Sequence, residues 1–88
     1  MEIKGLNILE EKLKECNGRD ATIRISHKLY GEQKIKMKLN YIFDEKRIGF
    51  SVKNGQEIYI YKDEVMDFGI EGSIYFADDL MRIHIKIA

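Results

Sequence analysis

A chain of 88 residues, with 44% hydrophobic and 34% charged side chains, can enclose one modest core, so we expect a single domain over residues 1–88. Fifteen basic residues balance fifteen acidic ones, which excludes a global field that would recruit nucleic acid or an anionic membrane. The charge is uneven, however, because residues 19–53 hold nine basic and four acidic side chains and residues 57–79 hold one basic and seven acidic. We therefore expect one basic and one acidic side.

The single cysteine, Cys16, excludes an internal disulfide, and the N-terminal residues lack the apolar run of a signal peptide. No window approaches the roughly 18 apolar residues of a membrane span. We expect a soluble, cytoplasmic protein without membrane contact.

The first predicted element is a helix over residues 6–16. Its apolar residues recur at spacings of three and four, which places them on one stripe that must lie against the sheet. They are Leu6, Leu9, Leu13 and Cys16. Asn7 is the expected N-cap, and Gly18 suits the left-handed turn that ends a helix.

Alternating apolar and polar residues predict the strands, because successive side chains leave opposite faces of a strand. The longest alternation covers residues 33–43, and its partner contains Gly49, whose missing side chain permits sharp curvature. Asn54 and Gly55 predict a type I′ hairpin turn. Residues 65–76 form either two strands or an irregular loop. The predicted strands are residues 21–29, 33–43, 47–53, 57–61, 66–70 and 80–87.

These elements predict a mainly β fold of the α+β class, in which an N-terminal helix precedes an antiparallel meander of five or six strands. The predicted strand of eleven residues is about twice the usual length, and in small domains such strands bend so that each half serves a different sheet. We therefore expect a small, partly open barrel, which also removes exposed strand edges. The alternative is a flat meander with the helix across one face.

The order and lengths of these elements, over roughly residues 6–87, resemble the Sm-like and SH3-like small barrels, and the resemblance is one of shape. The Sm family marks its RNA site with an Asp and an Asn near the second turn and an Arg-Gly pair near the fourth and fifth strands. Here that turn is Asp44-Glu45-Lys46-Arg47, and the sequence contains no Arg-Gly pair. The resemblance therefore implies a fold, and it does not carry over the family's ring-forming RNA binding.

The sequence offers little for catalysis or metal binding. Its soft ligands are His27, His84 and Cys16, which lack the close pair that a zinc site requires. Cys16 lies on the helix stripe, where a small core residue is the expected role. The acidic residues between Asp63 and Asp79 fit turns better than a calcium loop or a paired-carboxylate site. We expect no enzyme activity, cofactor, metal or small-molecule substrate.

A row of lysines on the long strand is a candidate nucleic-acid surface, because it could contact phosphates while a nearby aromatic residue stacks on a base. The candidates are Arg24, Lys34, Lys36, Lys38 and Arg47, with Tyr30 as the aromatic residue. The alternative is that they are the ordinary charged face of a strand and protect it from aggregation. The sequence pI of about 6.7 favours the alternative.

Tyrosines in the acidic half are candidates for a protein interface, because tyrosine buries a large area at small entropic cost. Tyr59 and Tyr61 lie opposite two isoleucines on their predicted strand, so they point outward if the isoleucines point into the core. If the strand is covered on both faces, they are half-buried. The interface candidates are Glu57, Tyr59, Tyr61 and Tyr75.

We therefore expect a non-catalytic interaction module that binds another protein or a second copy of itself through a tyrosine-bearing, acidic strand face. In self-association, the Lys34/Lys36/Lys38 face of one molecule would meet residues 57–79 of the next. Such a heterologous contact closes into a ring when the rotation allows it. The alternative function is nucleic-acid binding through the lysine row.

Overall fold

The computed structural model describes residues 5–88, and this part of the chain folds into one helix and eight strands. The prediction of a mainly β chain with a helix at its N-terminal end is confirmed. Two short 3-10 turns cover Lys53–Gly55 and Lys62–Glu64. The elements are α1 Leu6–Cys16, β1 Asp20–His27, β2 Gly31–Lys38, β3 Tyr41–Phe43, β4 Arg47–Ser51, β5 Glu57–Tyr61, β6 Asp67–Gly69, β7 Ile74–Ala77 and β8 Met81–Ile87.

The strands form two antiparallel sheets, which over the described residues do not close into a barrel. One sheet has five strands in the order β2-β1-β8-β7-β6, and the other has three in the order β3-β4-β5. The prediction of a meander of five or six sequential strands is wrong, because β1 pairs along its length with β8. A local alternation pattern predicts that a strand exists, but it does not specify a partner 60 residues away.

The predicted strand over residues 33–43 is two strands, and the break at Leu39 and Asn40 separates them. Leu39 is buried there, and its carbonyl accepts a hydrogen bond of 2.7 Å from the backbone of Gly18. The backbone N–H of Tyr41 donates to the Asn17 side chain at 3.1 Å. The end of the helix thus fixes the bend, and the prediction that each half serves a different sheet is confirmed.

Several predicted boundaries are wrong by a few residues. The first strand ends at His27 instead of residue 29, and Leu29 and Tyr30 stand out of the turn with 73% and 83% of their surface exposed. The predicted strand over residues 47–53 ends at Ser51. The segment left open by the sequence contains β6 and β7.

A hairpin at Asn54 and Gly55 is confirmed, because β4 pairs with β5 across it and both residues have positive φ angles, 75° and 78°. Its loop is the three residues Lys53–Gly55, since Val52 bonds to Gln56, whereas the predicted type I′ turn has a loop of two. The left-handed conformation of Gly18, with φ of 82°, is confirmed as well. The N-cap prediction is wrong, since Gly5 occupies the cap position without a side-chain hydrogen bond and Asn7 lies exposed inside the helix.

The core lies between the inner faces of the sheets and the apolar stripe of α1, which packs against β3 and β7. Burial of the predicted stripe is confirmed, and Leu9 and Leu13 are fully buried. Because the helix is too short to be stable alone, this burial is what holds it in place. The largest fully buried side chains are Phe50, Phe76, Leu9, Leu13, Ile23, Leu39, Ile48, Ile60, Ile74, Ile83 and Ile85.

Candidate functional site

The outer face of the five-stranded sheet collects basic side chains from three neighbouring strands. Cross-strand pairing aligns Lys34 of β2, Arg24 of β1, His84 of β8 and Tyr75 of β7 in one row. The next row places Lys36 and Lys86 on either side of Thr22. All of these residues lie on the sheet face that points away from the core, because the residues between them along β1 and β8 are the buried ones. We call Arg24, Lys34, Lys36, Lys38 and Lys86 the basic face.

The cations of the basic face are exposed, and they make no ion pair with another residue of the range 5–88. The salt bridges among residues 5–88 use Lys12, Arg47 and Arg82, and none uses a member of the basic face. The acidic residues that share this side of the sheet lie at its ends. They are Asp20 opposite Lys38, Glu32 bonded to Ser26, and Asp67 bonded to Arg82.

Residues of like charge occupy opposite positions on neighbouring strands of this face. Arg24 is the cross-strand partner of Lys34, and the remaining neighbour in its row is His84. Like charges in opposed positions of an antiparallel pair destabilise it by roughly 0.2–1 kcal/mol. The fold therefore carries a repulsion here that an anionic ligand would relieve.

Tyr75 continues the row beyond His84, and its ring lies across β6 where Gly69 has no side chain. A Cβ added at Gly69 would come within 2.5 Å of Cε1 of Tyr75. The guanidinium of Arg82 lies 5.1 Å from the centre of the tyrosine ring and binds Asp67 at 3.2 Å. Beside it, the Ser73 hydroxyl and Nε2 of His84 share a hydrogen bond of 2.7 Å.

Tyr59 and Tyr61 lie on β5 of the three-stranded sheet, where they form a separate cluster. The rings of Tyr59 and Tyr61 meet edge to face with centres 5.4 Å apart. Tyr61 is 45% exposed, as expected for a tyrosine that points outward, whereas Tyr59 is half-buried, as expected if that face of the strand is covered. Tyr59 beside it raises the pKa of Tyr61.

Arg47 is the centre of this cluster. Its guanidinium bonds to Glu57 at 2.7 Å and to Asp44 at 2.8 Å, and it lies 5.0 Å from the centre of the Tyr59 ring. These two carboxylates raise the pKa of Arg47. The backbone N–H of Lys46 and the Arg47 side chain lower the pKa of Asp44. With its charge matched by two acids, Arg47 offers little attraction to a phosphate.

The structure thus brings together only some of the predicted site residues. Lys34, Lys36, Lys38 and Arg24 share the basic face, whereas Arg47 belongs to the other sheet. Tyr30 stands in the turn between β1 and β2, with its ring 4.7 Å from that of His27. Glu57, Tyr59 and Tyr61 are neighbours on β5, and Tyr75 lies on the five-stranded sheet.

Sequence reasoning missed the contribution of β8. Arg82, His84 and Lys86 alternate visibly in the sequence, but their place beside Arg24 depends on the pairing of β1 with β8. Ser73 was missed as well, since only its contact with His84 marks it.

The described residues also bear on a metal site, a reactive cysteine and a membrane-spanning helix. Residues 5–88 contain no cluster of three or more His, Cys, Asp or Glu side chains arranged to hold a metal ion. Cys16 is buried on the inner stripe of the helix. No helix in this part of the chain has the length and apolar character needed to cross a membrane.

Comparison of the chain with protein-family models, with curated proteins and with solved structures found no match. The functional interpretation therefore depends on the geometry of the basic face and of the tyrosine cluster.

Proposed function

We propose that this protein is a non-catalytic binding module and that its basic face binds the phosphates of a nucleic acid. The observation that carries the proposal is the set of five exposed cations that share one sheet face and form no ion pair within the part of the chain that the structure describes. In the sequence this function was the alternative. What raises it is the strand pairing, which aligns the predicted Arg24 with Lys34 and adds Lys86 to the same face.

The spread of the cations favours a polymer over a small anion. Adjacent strands lie about 4.8 Å apart, and Lys34 to Lys38 spans about 13 Å along β2. The face is open, so a single phosphate could contact only a few of its cations. A chain of phosphates could contact most of them and release several counterions, which is the main source of affinity for nucleic acids.

The zero net charge does not oppose this proposal at short range. At 0.1 M salt the Debye length is about 10 Å, so a bound phosphate responds chiefly to the charges nearest to it. Within the two central rows these charges are basic, and the acidic residues lie at the ends of the face. The whole-chain charge instead predicts weak attraction from a distance and a modest association rate.

The hydroxyl and imidazole pair of Ser73 and His84 belongs to binding in this proposal. A nucleophilic serine requires a base that is itself oriented by a third group. Among residues 5–88 the His84 side chain hydrogen-bonds to Ser73, and no carboxylate binds its other ring nitrogen.

Fluorescence anisotropy with labelled single strands, between 50 and 200 mM salt, tests the proposal. Five phosphate contacts predict a slope of about −3.5 in log K against log salt, which is an affinity loss of about 100-fold over this range. Lys36→Gln should weaken binding and reduce the slope by about 0.7, since one contact is lost. Lys14→Gln, an exposed lysine on the helix, is the matched control. Absence of binding at 50 mM salt, or equal losses in both variants, would reject the proposal.

Self-association is a second candidate, and the sheet edges favour it. β2 and β6 are the two edges of the five-stranded sheet. β2 carries the lysine row, whereas the chain in and around β6 contains Asp63, Glu64, Asp67 and Glu71. Opposite charges at opposite edges suit a head-to-tail contact that continues the sheet from one copy to the next. Glu57, a predicted interface residue, is not expected at this contact, because it lies on the three-stranded sheet and binds Arg47.

Light scattering across a salt series from about 50 to 500 mM tests self-association, since the screening length falls from above 10 Å to below 5 Å over this range. An oligomer that dissociates as salt rises would support the contact between edges. A monomer at every salt concentration would exclude it.

We also propose that the two sheets are an opened form of the small barrel that the sequence resembles. β2 continues through the bend into β3, so each sheet leads into the other on that side. Pairing between β5 and β6 would complete the circuit. Slow hydrogen exchange at the outer amide groups of β5 and β6 would support closure in solution, and fast exchange would oppose it.

A further inference from the structure

We propose that Tyr75 and Arg82 form a subsite for an unpaired base, so that the ligand of the basic face is single-stranded nucleic acid. This inference rests on the proposed function, and it adds the class of ligand and a specificity-determining residue. From the sequence alone, Tyr75 is a candidate for a protein interface and Tyr30 is the candidate for base stacking. The structure places Tyr75, and not Tyr30, in the row of Arg24 and Lys34.

The position of Tyr75 suits a strand that lies on the basic face. Tyr75 is two strands away from Arg24 in the same row, which is about 10 Å at the usual spacing of strands. One short segment of nucleic acid can span this distance. Its phosphates would contact Arg24 and Lys34 while a neighbouring base reaches Tyr75.

The ring of Tyr75 is held in place before any ligand binds. Gly69 leaves room for the ring to lie across β6, with Cε1, Cζ and the hydroxyl within 3.0 Å of the position that a Cβ would take. Arg82 lies 5.1 Å from the ring centre, and Asp67 holds the guanidinium at 3.2 Å. A side chain fixed in this way loses little conformational entropy on binding, which favours affinity.

The chemistry of the subsite matches an unpaired base. Aromatic rings and guanidinium planes are the groups on which unpaired bases stack in protein complexes. The adjacent Ser73 hydroxyl and His84 imidazole can exchange hydrogen bonds with the edge of a base. A duplex hides the faces and pairing edges of its bases, so this subsite predicts a preference for single strands.

The test compares Tyr75→Leu with the parent protein on three probes. These are a labelled single-stranded oligonucleotide, a duplex of the same sequence and inorganic polyphosphate, which has no bases. Loss of one stacked base should weaken single-strand binding about tenfold or more. The slope of affinity against salt should stay unchanged, because no phosphate contact is lost. Affinity for polyphosphate should also stay unchanged.

Two further variants separate stacking from damage to the fold. Gly69→Ala keeps Tyr75 but fills the space that its ring occupies, so it should also weaken single-strand binding. Tyr61→Leu removes an exposed tyrosine from the other sheet and should bind as the parent does. Urea unfolding of each variant confirms that the folded protein is being compared.

Either of two results would overturn the inference. One is single-strand binding by Tyr75→Leu that equals that of the parent, and the other is an equal loss of affinity for polyphosphate. If Lys36→Gln still weakens binding in that case, the basic face stands and the base subsite fails. If the parent binds none of the three probes at 50 mM salt, the proposed function fails together with the subsite.

Discussion

At Gly49 the neighbouring strand leaves no room for a side chain, so Gly49→Ala should destabilise the protein severely. Gly49 is the middle residue of β4 and pairs with Tyr59 of β5. A Cβ added there would lie 2.0 Å from the carbonyl oxygen of Ile58 and 2.6 Å from the Cα of Tyr59. Both atoms belong to the backbone and cannot rotate away, so β5 would have to move away from β4.

The expected cost follows from the size of this overlap. Overpacking of a well-packed core costs about 1–3 kcal/mol, and an overlap of more than an ångström against backbone belongs at the upper end. Each ladder hydrogen bond lost in addition costs about 1 kcal/mol. We therefore expect a loss of about 3 kcal/mol or more. A chain of this length has a stability of roughly 4–13 kcal/mol, so the variant would lie near the limit of folding.

Urea unfolding followed by circular dichroism measures this loss. With an m value of about 1 kcal/mol/M, the midpoint should fall by about 3 M. Gly69→Ala is the matched control, because its added Cβ meets the ring of Tyr75, and displacing this ring costs only side-chain contacts such as that with Arg82, without moving the backbone. It should cost about 1 kcal/mol or less. Equal costs for the two variants, or a cost below about 1 kcal/mol for Gly49→Ala, would refute the reasoning.

Three further measurements test the packing and the titration of the fold. Leu9→Ala should cost about 2–5 kcal/mol in urea unfolding, because Leu9 is fully buried, and Ile8→Ala, at a position 46% exposed, should cost far less. The Asp44 carboxylate has a lowered pKa in the folded state, so its stabilising contribution is full above the unfolded value and is lost as the pH falls through the lower folded value. Asp44→Asn should therefore lower the urea midpoint at pH 7, with a deficit that shrinks below about pH 4, whereas a constant deficit would contradict this account. Cys16 is buried, so a thiol reagent should modify it only as fast as the protein opens, and rapid reaction without urea would show that the helix does not cover it.

Local features were predicted correctly where a physical cause acts within a few residues. The leucine spacing of α1 requires one buried stripe, and the structure buries that stripe. The Asn54-Gly55 pair adopts the positive φ angles that its turn requires. The length of residues 33–43 predicted a bend, because a straight strand of that size does not fit a domain this small. The structure shows that the helix end, through Asn17, fixes where the bend lies.

The candidate site was predicted less well, because it is assembled from distant segments. The alternation of β2 correctly places Lys34, Lys36 and Lys38 on one face, and it says nothing about the strand beyond Arg24. Arg47 was grouped with these lysines by charge alone. In the structure it belongs to the other sheet and binds Glu57.

The role of Gly49 changed for a similar reason. The sequence indicated a position of sharp curvature, whereas the structure shows a close approach between β4 and β5. Both need a glycine, so the residue type alone does not separate them.

The sequence by itself determined the amphipathic helix, the inner and outer faces of most strands, and the separation of charge along the chain. These features follow from periodicity and composition, which act through neighbouring residues. Only the tertiary structure decided that β1 pairs with β8, that β6 and β7 are separate strands, and that β5 and β6 belong to different sheets. Each of these features depends on which strands pair with each other. Every residue other than proline has the same backbone donor and acceptor, so the local sequence does not specify the partner strand. The basic face and the Tyr75 subsite exist only because that pairing joins side chains 40 to 60 residues apart.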